Sequence, residues 1–242
     1  MSSPMDGPAM DGPAMGGPKG DGPQGDGPST HAASVEGSPP IFGAPGALLV
    51  IISGPSGVGK DTIIEALRRR PRERDYHFVV TYTTRSARPG EIDGVSYQFL
   101  SPERFLELKA AGELLEATNV HGNWYGTPRR QVSQALSEGR DVILKIDVQG
   151  AQTVKKRVPD AVLIFVVPPS LETLFQRLKA RATESVDELE LRQRNAALEL
   201  ARQDDYDYVV VNETGEVEPT AARIDEIIAS EHGANPDRRL LI

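Results

Sequence analysis

The chain has 242 residues, no cysteine, a formal net charge of −8, and 23 Gly with 19 Pro, a Gly plus Pro load above the usual background of about 12%. The missing cysteine excludes a disulfide framework, a thiolate zinc site and a cysteine nucleophile. The acidic balance argues against nonspecific nucleic-acid binding, yet it leaves room for a small anion held by a local arginine cluster. The longest apolar runs, 47–52 and 161–167, are too short to cross a bilayer. The first residues lack the basic start and apolar core of a secretory signal. A reducing, cytoplasmic setting is expected.

The Gly and Pro excess is local. Residues 1–45 hold 10 Gly and 9 Pro, leaving 13 and 10 for the other 197. The opening stretch repeats MDGPA, MDGPA, MGGPK, GDGPQ and GDGPS, which has almost nothing to bury and a high ordering entropy. We expect a disordered tail over 1–45, a folded domain over 46–235 and a short C-terminal tail over 236–242.

Residues 47–53 form an apolar strand, then a Gly-rich turn, then a helix over 61–70. Residues 78–82, 141–147, 161–167 and 208–212 are further short runs rich in Val and Ile. Continuous apolar runs between helical segments predict a parallel sheet covered on both faces. Between 96 and 127 the pattern differs. Short strands at 97–100, 114–120 and 124–126 surround a helix at 102–111, which reads as a small mixed insert. After Pro168-Pro169, Ser170 is a predicted N-cap, with Leu171, Leu174, Phe175 and Leu178 at helical spacing. Ser185 and Glu188 match a capping box for a second helix, after a turn at 181–184.

The strongest motif is Gly54-Pro55-Ser56-Gly57-Val58-Gly59-Lys60. It has GxxxxGK spacing, follows a strand and opens a helix. Glycines let backbone N–H groups turn inward around an anion, and the helix N-terminus favours phosphate. Lys60 is placed to reach the β and γ phosphates. The next position usually carries Ser or Thr, but here it is Asp61, followed by Thr62. Asp61 either meets magnesium or points away as a charge at the helix start. Further on, TYTTRSARPGE over 81–91 sets Arg85 and Arg88 near tyrosines and hydroxyls, which suits a grip on a second phosphate.

With Glu116, GNWYGTP at 122–128 and IDVQG at 146–150 added, the chain resembles guanylate kinases from the phosphate loop to about Glu213. The resemblance implies an α/β P-loop kinase fold: a five-stranded parallel sheet flanked by helices, a GMP-binding insert near 81–128 and a helical lid near 170–195. It implies that Arg85, Arg88, Tyr97 and Tyr125 hold the GMP phosphate. It implies that Thr81, Glu116, Thr127 and Asp147, with Gly126 beside them, line the guanine pocket. A carboxylate at Glu116 accepts from both N1–H and N2–H₂ of guanine, and adenine lacks that donor pair. Arg181 matches the first lid arginine and Arg192 the second, with Arg194 as the alternative. Asn212 matches a residue near the adenine of ATP. The implied reaction moves the γ-phosphoryl group of ATP to GMP, and plausibly dGMP, with Mg²⁺. Lys60, Arg88, Arg181 and Arg192 supply charge to the transferred group. The rival reading is a catalytically silent relative that binds proteins, though such domains commonly lose the loop and lid cations that are intact here. ATP and GMP are the expected partners, with no membrane or nucleic acid. His77 and His121 match no metal spacing. Oligomeric state stays open.

Overall fold

The computed structural model describes residues 42–71, 74–120, 122–180 and 186–242. The expectations for the Gly-Pro repeat, His121, Arg181, the turn at 181–184 and the Ser185 cap lie outside the described residues. In chain order the elements are β1 (Leu49–Ser53), α1 (Lys60–Arg69), β2 (Tyr76–Phe78), β3 (Tyr82–Thr83), β4 (Gln98–Phe99), α2 (Pro102–Ala110), β5 (Leu114–Val120) and β6 (Asn123–Pro128). They continue with α3 (Arg129–Ser137), β7 (Asp141–Lys145), α4 (Val148–Arg157), β8 (Val162–Val167), α5 (Leu171–Ala180), α6 (Val186–Leu200), β9 (Tyr208–Val211) and α7 (Val217–Ala234).

Five strands form one sheet in the order β2-β7-β1-β8-β9, and every pairing is parallel. The apolar runs have a direct cause. Val50 and Ile52 of β1 pack with Ile63, Leu67, Leu174 and Ile224 on one face. Leu49 and Ile51 pack with Val132, Leu136 and Val154 on the other. A strand covered on both faces has no solvent side, so it shows no polar alternation. Each such aliphatic side chain contributes roughly 1.5–3 kcal/mol by burial.

A second, mixed sheet runs β4-β3-β6-β5. Its β3–β4 pair is parallel and its β3–β6 and β5–β6 pairs are antiparallel. Helix α2 covers it through Phe105, which is fully buried and stacks on Trp124 with centroids 5.8 Å apart. Ser101 caps α2 by accepting from the Arg104 N–H at 3.2 Å, and Pro102 supplies a preset φ at the helix start. Ser170 likewise accepts from the Thr173 N–H at 3.1 Å, as expected.

Two expectations are corrected. Residues 78–82 are not one strand: β2 ends at Phe78 in the parallel sheet and β3 starts at Tyr82 in the other. Between them the Val79 N–H donates to Ile143 O at 3.1 Å and the Val80 N–H to Gln131 Oε1 at 3.1 Å. An apolar run does not reveal that the chain changes sheets within it. The domain also reaches past both expected boundaries. Phe42 bridges Leu241, the Gly43 N–H donates to Leu240 O at 2.9 Å, and Leu240 is fully buried among Ala47, Leu136 and their neighbours. Leu240→Ala is therefore expected to cost about 2–4 kcal/mol, read as a lower denaturant midpoint at unchanged slope. An unchanged midpoint would mean that residues 236–242 are a tail after all.

Candidate active site

Strand β1 lies at the centre of the sheet, and its two neighbours β7 and β8 continue to opposite edges. A crevice opens at the carboxyl end of such a strand, and there the chain turns through residues 54–60. Gly54, Gly57 and Gly59 have φ of 143°, 84° and 103°. A Cβ on Gly54 would lie 2.3 Å from Val166 O, and one on Gly59 would lie 2.5 Å from Asn212 Nδ2. Conformation and close approach thus both require glycine.

No side chain caps α1, whose N-cap is Gly59. Its first-turn N–H groups and positive dipole end face the crevice as an anion site. Lys60 Nζ curls back and donates to Gly54 O at 2.6 Å and Pro55 O at 3.1 Å. Burial lowers the pKa of this ammonium, partly offset by the charges of Glu199, Asp61 and Asp147. The Ser56 N–H donates to Glu199 Oε2 of α6 at 3.2 Å, so a carboxylate already rests on a loop donor. Behind the loop, Asn212 Nδ2 donates to Val58 O at 2.7 Å and Asn212 Oδ1 accepts from Thr220 Oγ1 at 3.2 Å. Arg177 adds bonds to Val58 O at 3.3 Å and Asn212 O at 3.2 Å.

The opposite wall comes from the mixed sheet. Arg85 makes a fork-to-fork pair with Glu91, both bonds 2.9 Å, and its Nε donates to Tyr125 Oη at 3.2 Å. Its guanidinium lies 5.3 Å from the Tyr97 ring centroid. Glu91 also accepts from the Arg88 N–H at 2.7 Å, so one carboxylate fixes the loop that carries both arginines. The Arg88 side chain itself is exposed. At the floor, Glu116 is buried and accepts from Thr127 Oγ1 at 2.7 Å and Thr118 Oγ1 at 3.1 Å. Burial pushes its carboxyl up to about 7, with Asp147 adding repulsion and the Thr bonds and Arg157 opposing. Gly150 of α4 makes room, since a Cβ there would meet Glu116 Oε2 at 3.2 Å. Asp147 caps α4 by accepting from the Gln149 and Gly150 N–H groups at 2.8 and 3.0 Å.

These walls enclose one cavity of about 520 Å³. Gly54, Gly57, Gly59, Lys60 and Asp61 line one side. Thr81, Arg85, Arg88, Tyr97, Glu116, Tyr125 and Gly126 line the other, with Lys145 and Asp147 also in the lining. Arg192 and Glu199 of α6 complete it. A second cavity of about 380 Å³ flanks the loop beside Thr62, Arg177, Asn212 and Thr214. A cavity with the phosphate loop on one side and Arg85 and Arg88 on the other has the layout that transfer between two phosphates requires.

The guanylate kinase family model matches residues 47–231. The guanylate kinase of Enterococcus faecalis is 47% identical over 185 residues, covering 76% of this chain and 89% of that protein. That of Lactobacillus acidophilus is 46% identical, covering 76% and 89%. The crystal structure of guanylate kinase from Anaplasma phagocytophilum superposes with a TM-score of 0.62 at 34% identity, covering 76% of this chain and 86% of that one. The chain belongs to the guanylate kinase family.

Most of the residues expected from the family pattern meet in the first cavity. Thr127 reaches it through Glu116. Asn212 and Thr62 line the second cavity instead. Of Arg192 and Arg194, Arg192 lines the cavity, whereas Arg194 is exposed and 3.7 Å from Glu190. Asp61 is ion-paired with Lys145 of β7. Sequence spacing alone does not single out Glu91, Lys145 or Glu199. Glu91 had a signal in the motif, because it closes the TTRSARPGE stretch six residues after Arg85. A lone lysine ending an apolar strand and a glutamate on an amphipathic helix had none. Gly59→Ala is expected to abolish the thermal stabilisation that ATP confers, because the loop must both strain and push Asn212 aside. ATP stabilisation equal to that of the unaltered chain would show that the loop tolerates a side chain there.

Proposed function

We propose that this chain transfers the γ-phosphoryl group of ATP to GMP, giving ADP and GDP. The single observation that carries the reading is the shared cavity, with the phosphate loop on one wall and Arg85, Arg88, Tyr97, Tyr125 and Glu116 on the other. ATP phosphates occupy the loop around Lys60 and displace the Glu199 carboxylate, while the second cavity takes the adenosine side near Asn212. The GMP phosphate sits against Arg85, Arg88, Tyr97 and Tyr125, and guanine lies toward Glu116, Thr81 and Asp147. Because the proposed contacts are to the phosphate and the base, dGMP is the second proposed acceptor. A cytoplasmic reaction agrees with the cysteine-free composition.

The acceptor oxygen is anionic at neutral pH, so no general base is needed. The chain's task is to align two polyanions and neutralise the charge that spreads over the transferred group. Lys60, Arg88 and Arg192 line the space where this happens, and Arg181 is proposed to join them. Magnesium fits as an ion borne by the nucleotide, because it keeps several waters and needs few protein oxygens beside phosphates. The Asp61 carboxylate is paired with Lys145, so the ion would be held by the phosphates rather than by Asp61. When bound, magnesium would supply positive charge to offset that of the phosphates. An acceptor panel tests the reading: ADP release is expected with GMP and dGMP, and at least about 100-fold less with AMP.

Glu116 gives the reaction a pH signature. The guanine donors require a carboxylate, and the free carboxyl titrates at about 7. GMP binding therefore expels a proton below that value, and GMP affinity rises as pH rises through it. In the ligand-free chain the sign is opposite: the raised folded pKa makes Glu116 stabilising below its ordinary range near 4.5, and that contribution is lost as pH climbs through about 7. Calorimetry in buffers of different ionisation enthalpy should find proton release on GMP binding at pH 6. The proton release should be larger for the unaltered chain than for Glu116→Gln; equal values would remove Glu116 from the guanine contact. Glu91→Gln should raise the KM for GMP about tenfold with a small change in that for ATP, since it frees Arg85 without touching the phosphate loop.

A further inference from the structure

Lys145 lies just outside the IDVQG motif, yet it occupies the seam of the cavity. It ends β7, next to the strand that feeds the phosphate loop. Only 16% of its side chain is exposed. Its Nζ pairs with Asp61, the residue after Lys60, and stands 4.4 Å from the centroid of Tyr97 on the acceptor wall. Burial alone would depress this ammonium, but Tyr97 and Asp61 together hold it above its ordinary value. The other carboxyl, ammonium and guanidinium groups lining the same space are Lys60, Arg85, Arg88, Glu116, Asp147, Arg192 and Glu199.

Asp61 poses the problem that Lys145 solves. The phosphate-loop pattern carries a hydroxyl at this position. A carboxylate there faces the β and γ phosphates as a like charge, which weakens binding unless a cation offsets it. A metal that comes and goes with the nucleotide would leave the carboxylate uncompensated during entry. A covalently fixed ammonium from a central strand does not. We propose that Lys145 is a positioning residue that acts through Asp61: it neutralises the carboxylate and holds it off the triphosphate, so that this loop binds ATP with an aspartate where a hydroxyl is the rule. The inference rests on the reading that the loop binds ATP, and not on the identity of the acceptor.

A double-mutant cycle on ATP affinity, measured by equilibrium titration without GMP and repeated with EDTA, tests it. Lys145→Met is expected to weaken ATP binding at least about 30-fold while Asp61 is present, and less than about 3-fold in an Asp61→Ser background. The coupling should persist in EDTA, and Lys145→Arg should recover most of the loss. An equal loss in both backgrounds would mean that Lys145 merely props the cavity, and coupling seen only with magnesium would assign the role to the metal; either result overturns the proposal. Should Lys145→Met fail to fold, Asp61→Asn alone decides, because removing the carboxylate charge beside an intact Lys145 should tighten ATP binding about 3- to 10-fold, and weaker binding contradicts the proposal. Failure to phosphorylate GMP with the cycle intact would defeat the proposed reaction and leave this inference standing.

Discussion

Electrostatic repulsion between two phosphate-bearing molecules is the constraint on which this structure turns. The chain carries a net charge of −8, so no general field draws such molecules in. The answer is local. Backbone N–H groups at the start of α1 make an anion site from dipoles, and those dipoles need a loop with glycine at 54, 57 and 59. The loop in turn needs a fixed frame. Val166 of β8, Leu178 of α5 and Asn212 after β9 press against the three glycines at distances that no Cβ would tolerate without displacement. The doubly covered sheet is the frame that makes this tight seat possible.

Charge in the cavity is arranged in pairs rather than pooled. Arg85 is held by Glu91, Lys145 by Asp61, and the loop donor at Ser56 by Glu199. Each pairing keeps a cation or a donor oriented before substrate arrives, which lowers the ordering cost at the moment of binding. The same device appears away from the site. Asp141 is buried and joins the Leu48 N–H, Arg74 and His232, tying α7 and the segment before β2 to the edge of the central strands.

How legible this was depends on the range of the interaction. The phosphate loop is seven contiguous residues between a strand and a helix, and every part of its logic is local. Glu116 and the IDVQG glycine were readable as members of a pattern, and the structure adds the reason for the pairing: Gly150 leaves space for the Glu116 carboxylate. The parallel sheet followed from runs without polar alternation. By contrast, the Asp61–Lys145 contact spans 84 residues and Ser56–Glu199 spans 143. Nothing in the local spacing of either partner announces the other. The break of residues 78–82 between two sheets and the burial of Leu240 are hidden for the same reason, since both are decided by what packs alongside.

If one cavity holds both nucleotides, the phosphoryl group passes directly from one to the other. Phosphorus NMR of the full chain with MgATP and GMP tests it most directly. ADP and GDP should appear in equal amounts, with no inorganic phosphate beyond background because transfer outcompetes water. Release of inorganic phosphate from ATP at a rate indifferent to GMP would contradict it.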